Sequence, residues 1–170
     1  MNKTENADLF LSIIQCNKGI IYKIANMYCK NVEDRQDLFQ EIITQLWKSF
    51  DNYNNNFKHS TWIYRISLNV AISYYRKEKA RKKINSPFSD SLFNIEGDFE
   101  DNKLLEQNTL ILNQFISELK ELEKALMLLY LEEKSHKEMA EIIGITETNI
   151  ATKIGRIKTR LKLKFLQKEI

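Results

Sequence analysis

The sequence predicts an all-α protein of two small helical domains joined by a flexible linker. Gly and Pro are scarce, four and one in 170 residues, so few breaks are written into the chain and its connections should be short. Apolar residues recur three and four apart, while the strict alternation of a half-buried strand is hard to find. Residues 84–101 are the exception. They hold the single proline (Pro87), Gly97, and five acidic side chains between 90 and 101 with no basic one. That stretch is too long for a loop inside one compact domain. The expected organisation is a first domain at 1–83, an acidic linker at 84–101 and a second domain at 102–170.

The net charge of +3 is modest, but its distribution is uneven. Residues 76–83 carry six basic side chains against one acidic, and residues 153–168 carry seven basic and no acidic. Two basic blocks separated by an acidic one point to two nucleic-acid contacts joined by a segment that avoids nucleic acid. The start MNKTENADLF lacks the features of a secretory signal. The longest apolar run, at 125–131, is too short to span a bilayer. A cytoplasmic, reducing setting without membrane insertion is expected. Cys16 and Cys29 have no CxxC neighbour and read as free thiols in helix cores. His59 and His136 are isolated, and no HExxH, GxxxxGK[ST] or GxSxG occurs. Neither a metal, a cofactor nor an enzyme is therefore expected.

In chain order, Leu9, Ile13, Ile20 or Ile21, Ile24, and Met27 or Tyr28 fall at helical spacing. Asn17 and Gly19 interrupt that pattern, so two helices or one broken helix are expected. Asp34 can N-cap the next helix, with Asp37 in its first turn. This helix carries Leu38, Ile42 and Leu46 on one line and Phe39, Ile43, Trp47 and Phe50 on a second. The pair is wider than one core requires, so the helix reads either as an ordinary two-sided core helix or as a docking helix with surface free for a partner.

Residues 51–59 favour turns through Asp51, Asn52 and three consecutive Asn residues. Ser60 or His59 can cap the helix that follows, in which Trp62, Ile66 and Val70 form an apolar line. Tyr53, Phe57, Trp62 and Tyr64 stand among the basic side chains Lys58, Arg65, Arg76 and Lys77. Aromatic rings beside cations suit unpaired bases, each stack contributing about 1–3 kcal/mol, and extruding a base costs only a few kcal/mol.

In the second domain a helix begins near Asn102, and another runs from Leu119 to Leu131 with Leu122, Leu126, Leu129 and Tyr130 inward. Ser135 and Glu138 match a capping box. MAEII then stops at Gly144, which can take positive φ, and Thr146 caps the last helix. Ile150, Ile154, Ile157, Leu161 and Phe165 give that helix an inner line. The set reads as a helix-turn-helix. Thr148, Asn149, Thr152, Lys153 and Arg156 would face the major groove, with Lys158, Arg160, Lys162 and Lys164 mostly on phosphates.

These segments, in this order, resemble an RNA polymerase sigma factor of the sigma-70 family, extracytoplasmic-function group. DLFQEIITQLWKSF is similar to the family's helix that binds the polymerase β′ clamp helices. FKHSTWIYRISLN with YYRKEK resembles its segment that melts and reads the −10 element, and SHKEMAEIIGITETNIATKIGRIKTRL its region 4 reader of the −35 element. The resemblance implies a region 2 bundle and a region 4 helix-turn-helix. It implies that Asp37, Leu38, Gln40 and Glu41 meet core polymerase and that the loop from Asp51 to Ser60 captures a flipped −10 base. Tyr53, Phe57, Lys58, Trp62, Tyr64, Arg65, Asn69, Arg76 and Lys77 would handle −10 DNA. Thr148, Asn149, Thr152, Lys153, Arg156 and Arg160 would handle the −35 duplex. The implied partners are bacterial core RNA polymerase (β′ clamp helices and β flap), promoter DNA and an anti-sigma factor. The alternative reading is a helix-turn-helix regulator that binds duplex DNA without melting it.

Overall fold

The computed structural model describes residues 3–53, 56–85 and 103–167, which form helices and short connections with no strand among them. The chain divides into two compact units, Met1–Pro87 and Phe88–Ile170. Most of the expected acidic linker, with Pro87 and Gly97, lies outside the described residues.

The first unit packs α1 (Lys3–Tyr28), α2 (Val32–Phe50) and α3 (His59–Asn85) against one another. The expected break in α1 is absent. Asn17 sits inside the helix and donates its side-chain N–H to the Ile13 carbonyl at 2.8 Å, and Gly19 is exposed with open space around it. The buried face of α1 is Phe10, Ile13, Ile14, Ile21, Ile24, Ala25 and Tyr28. Leu9 falls one position outside it and is exposed. Of the cysteines only Cys29 is buried, just past α1; Cys16 faces out, against the expectation that both are core.

Asn31, not Asp34, caps α2, its side-chain oxygen accepting the Asp34 N–H at 2.6 Å. Glu33 and Asp34 thereby occupy the first turn, at the positive end of the helix dipole. The buried line is Leu38, Ile42, Leu46 and Phe50. Phe39 and Ile43 are half-buried and Trp47 is 42% exposed.

Neither Ser60 nor His59 caps α3. The helix already includes both, and its first backbone bond runs from the Trp62 N–H to the Lys58 carbonyl at 3.1 Å. The inward line is Ile63, Tyr64, Ser67, Leu68 and Ala71, not Trp62, Ile66 and Val70, which are half-buried. The apolar positions of α3 do not favour either line, so packing against α1 and α2 decides. The helix also runs two residues beyond the expected end at Lys83.

The second unit contains α4 (Lys103–Glu118), α5 (Glu121–Leu131), α6 (His136–Ile143) and α7 (Glu147–Leu166). α7 packs against each of the other three. Its Ile150, Ile154 and Ile157 are buried with Met139, Ile142, Leu126, Leu129 and Phe115. Leu161 and Phe165, further along the same line, are half-buried. Tyr130, expected inward, is 38% exposed.

Candidate nucleic-acid interface

The outer face of α2 is polar. Asp37, Gln40 and Glu41 are exposed, and Gln45 donates to the Glu41 carboxylate at 3.0 Å. Leu38 is 0% exposed, which corrects its assignment as a polymerase contact: it holds α2 to the core and cannot reach a partner while the bundle is intact. An open groove separates this face from α3, lined by Asp37, Glu41 and Gln45 on one side and Asn69, Tyr74 and Lys77 on the other. The structure thus brings together residues that the sequence reading assigned to two different jobs. Gln45 and Tyr74 were missed. Gln45 follows Glu41 by one turn and shares its line, which is the signal that could have found it. Burial, and then the charges of Asp34, Cys29, Glu78 and Asp37, push the Tyr74 phenol up to about 12.

The loop between α2 and α3 stands at the end of a chain of rings. Phe10 meets Trp47 and Phe50 edge-on, at 5.0 and 5.3 Å between centroids. Phe50 lies 6.1 Å from Trp62, and Tyr53 lies 5.0 Å from Trp62 and 5.1 Å from His59. Such tilted and edge-on pairs favour fixed ring orientations. Tyr53 also donates its hydroxyl to the Phe57 carbonyl across the loop. Tyr53 and Trp62 are therefore half-buried supports, while Phe57 presents its ring to solvent at 41% exposure. Lys58 beside it is exposed. Asn54 and Asn55 lie outside the described residues.

On α3, Arg65, Asn69, Arg76 and Lys77 are all exposed. Tyr64 is not, at 2% exposure. It corrects the expected stacking platform, because its ring belongs to the core side of the helix and no base can reach it. The i, i+4 spacing from Ser60 to Tyr64 and Leu68 could have placed it there.

The second unit builds the expected motif from local chemistry. Ser135 Oγ accepts the Glu138 N–H at 3.2 Å, and the Glu138 carboxylate accepts the Ser135 N–H at 2.9 Å. Gly144 ends α6 at φ 80, and Thr146 caps α7 through the Asn149 N–H at 3.3 Å. At about 100° per residue, Thr148, Asn149, Thr152, Lys153 and Arg156 share one side of α7, opposite the buried isoleucines. All are exposed except Lys153, which is half-buried. Lys153 and Arg156 make no ion pair among the described residues.

Three cations further along α7 have partners. Arg160 Nη2 lies 2.6 Å from Glu123 Oε1 on α5. Burial raises the affinity of Glu123 for its proton, but the Arg160 guanidinium and the Lys120 backbone N–H outweigh it and hold the carboxyl below its ordinary value. Lys164 pairs with Glu118 on α4 and sits over the Phe115 ring. Lys158 donates to the Tyr130 hydroxyl at 3.3 Å and lies 5.2 Å from that ring's centroid. Arg160 was expected at the −35 duplex; the structure gives it an acidic neighbour within its own unit.

No group of His, Cys, Asp and Glu among the described residues could hold a metal ion, and no described helix is long and apolar enough to cross a membrane. An aromatic loop beside a basic helix, followed by a capped helix-turn-helix, defines a two-unit helical DNA-binding protein. The family profile for Sigma-70 region 2 matches residues 13–81, and that for Sigma-70 region 4 matches residues 109–161. The chain belongs to the sigma-70 family, in its extracytoplasmic-function group. It is 25% identical over 169 residues to the ECF RNA polymerase sigma factor SigW of Bacillus subtilis (strain 168), covering 94% of this chain and 90% of that one. It is 28% identical over 153 residues to SigM of the same organism, covering 88% and 91%. Among solved structures, the sigma factor RpoE from Bartonella quintana, crystallised with the anti-sigma factor NepR, shares the fold. Its TM-score is 0.73 at 16% identity, over 92% of this chain and 96% of that one. CnrH in complex with the cytosolic domain of CnrY gives 0.64 at 17%, over 95% and 89%.

Proposed function

We infer that the protein directs bacterial core RNA polymerase to its promoters and starts transcription there, contributing binding and strand separation but no covalent chemistry of its own. The observation that carries this reading is the occurrence of region 2 and region 4 in that order, one on each helical unit. A regulator that only grips duplex DNA would need no region 2 unit, and that reading is not favoured.

The division of labour follows from surface chemistry. Asp37, Gln40 and Glu41 on α2 offer polymerase an exposed acidic face. Phe57 offers an unpaired base an exposed ring, and Tyr53 and Trp62 hold the loop that presents it. Lys58, Arg65, Asn69, Arg76 and Lys77 hold the separated strands. Thr148, Asn149, Thr152, Lys153 and Arg156 read the −35 duplex from α7. The domain limits we propose are 1–83, 84–101 and 102–170. Because RpoE was solved with an anti-sigma factor, an anti-sigma partner is proposed here too, and with it a cytoplasmic location.

The test is run-off transcription with core polymerase on a library of genomic promoters, followed by permanganate footprinting of a responding promoter. Reactive thymines at the start-proximal element support the reading. Binding with every thymine still protected would reject the melting role.

A further inference from the structure

The basic face of α7 splits into two parts of different character. Its first three turns carry Lys153 and Arg156, which make no ion pair among the described residues. Beyond them, Arg160 and Lys164 each meet a carboxylate from another helix of the same unit, Glu123 on α5 and Glu118 on α4. Glu123 is itself held on both oxygens: Oε2 accepts the Lys120 N–H at 3.2 Å while Oε1 accepts from Arg160. It is a fixed, ionised acceptor at the first turn of α5, its carboxyl held below the ordinary value by Arg160 and the Lys120 N–H.

Each of these pairs is neutral as a unit. Affinity for duplex DNA rises with the number of phosphates whose counterions a protein displaces, and a neutral pair displaces few. Arg160 meets Glu123 through Nη2 alone, so a phosphate taken by its remaining N–H groups would bring the Glu123 carboxylate up beside a polyanion. Sharing one cation between two anions, with repulsion between them added, yields little. The pairs do link three helices. α7 must enter the groove at a set angle, and ties from its distal half to α4 and α5 restrict that angle.

We propose that Arg160 and Lys164 are positioning residues that brace α7 against α5 and α4, and that they add nothing to the phosphates neutralised on the −35 duplex. This rests on the reading of α7 as the duplex-binding helix, and the experiment separates the two.

The experiment uses full-length protein in holoenzyme with core polymerase, on a promoter fragment recovered by the run-off screen. The measured quantity is the slope of log affinity against log salt, which changes by about 0.9 per phosphate contact. Arg160→Gln with Lys164→Gln should leave the slope within about 0.3 of the parent and lower the Tm by a few degrees; a slope shallower by about 1.8 overturns the proposal. Glu118→Gln with Glu123→Gln is the complementary variant, which keeps both cations and frees them. It should lower the Tm comparably and steepen the slope by up to about 1.8; an unmoved slope and Tm together overturn the brace. Lys153→Gln with Arg156→Gln tests the underlying reading and should weaken binding to the −35 duplex by about tenfold or more at every salt concentration, since these two face base edges. If that pair changes nothing, α7 is not the duplex contact and the proposal falls with it.

Discussion

Tyr53 donates its hydroxyl to the carbonyl oxygen of Phe57, four residues further on, while its ring packs on His59 and Trp62. One side chain therefore both closes the loop and ties it to α3. Tyr53→Phe keeps the ring and removes the bond, worth about 1 kcal/mol, or roughly fivefold in the population of the closed loop. Promoter opening, measured by permanganate reactivity, should fall by about that factor, with co-purification of core polymerase unchanged. Equal opening by the variant would mean that the loop needs no internal tie.

Glu41 is exposed on α2, and its polar contact is to Gln45 on the same helix. Glu41→Lys should leave the melting curve of the protein nearly unchanged and weaken capture of core polymerase about tenfold or more, by placing a like charge opposite a basic partner. A pull-down at parental yield would remove α2 from the docking surface.

Two glycines of the second unit should respond in opposite directions. Gly155 lies within α7, exposed, with nothing within 4 Å of an added methyl group. Gly155→Ala should stabilise by roughly 0.5–1 kcal/mol, since Ala loses less backbone freedom in a helix. Gly144 sits at φ 80, where a side chain is strained. Gly144→Ala should destabilise by about 1–2 kcal/mol. Urea titration of both variants, with midpoints moving the same way, would contradict the assignment of these backbones.

Glu123 and Tyr74 tie stability to pH at opposite ends of the scale. Glu123 is held below its ordinary value, so through the carboxylate range the unfolded chain binds more protons than the folded one. Its contribution is complete above the unfolded pKa and is lost as pH falls through the folded one. Tyr74 behaves inversely. Its phenol moves from 10.0 to about 12, so the folded form keeps a proton that the unfolded form releases. That contribution is complete below 10.0 and is lost as pH rises toward about 12. Glu123→Gln should flatten the acid limb of stability against pH and Tyr74→Phe the alkaline limb. Titration of phenolate absorbance should show the late-titrating component shrink in Tyr74→Phe.

The parts legible in the sequence were those whose chemistry is local. Ser135 with Glu138, Gly144 and Thr146 act within three or four residues of themselves, so spacing alone located the helix-turn-helix. The first unit was harder, because α2 and α3 each offer two adjacent apolar lines and only the neighbouring helices choose between them. That choice put Leu38 and Tyr64 inside, taking both out of the candidate surface. The cap of α2 was misplaced because Asn31 and Asp34 bond to each other and either could begin a helix. The partners of Arg160 and Lys164 lie 37 and 46 residues back along the chain, beyond the reach of periodicity.

The chain has two tryptophans, and both belong to the ring cluster of the first unit. Trp47 is 42% exposed beside Phe10, whereas Trp62 touches the tyrosine that shuts the loop. Indole emission is thus blind to the second unit and responsive to the first, so the protein carries a native optical reporter with which the proposed entry of a base into the loop can be followed, and no dye need be attached.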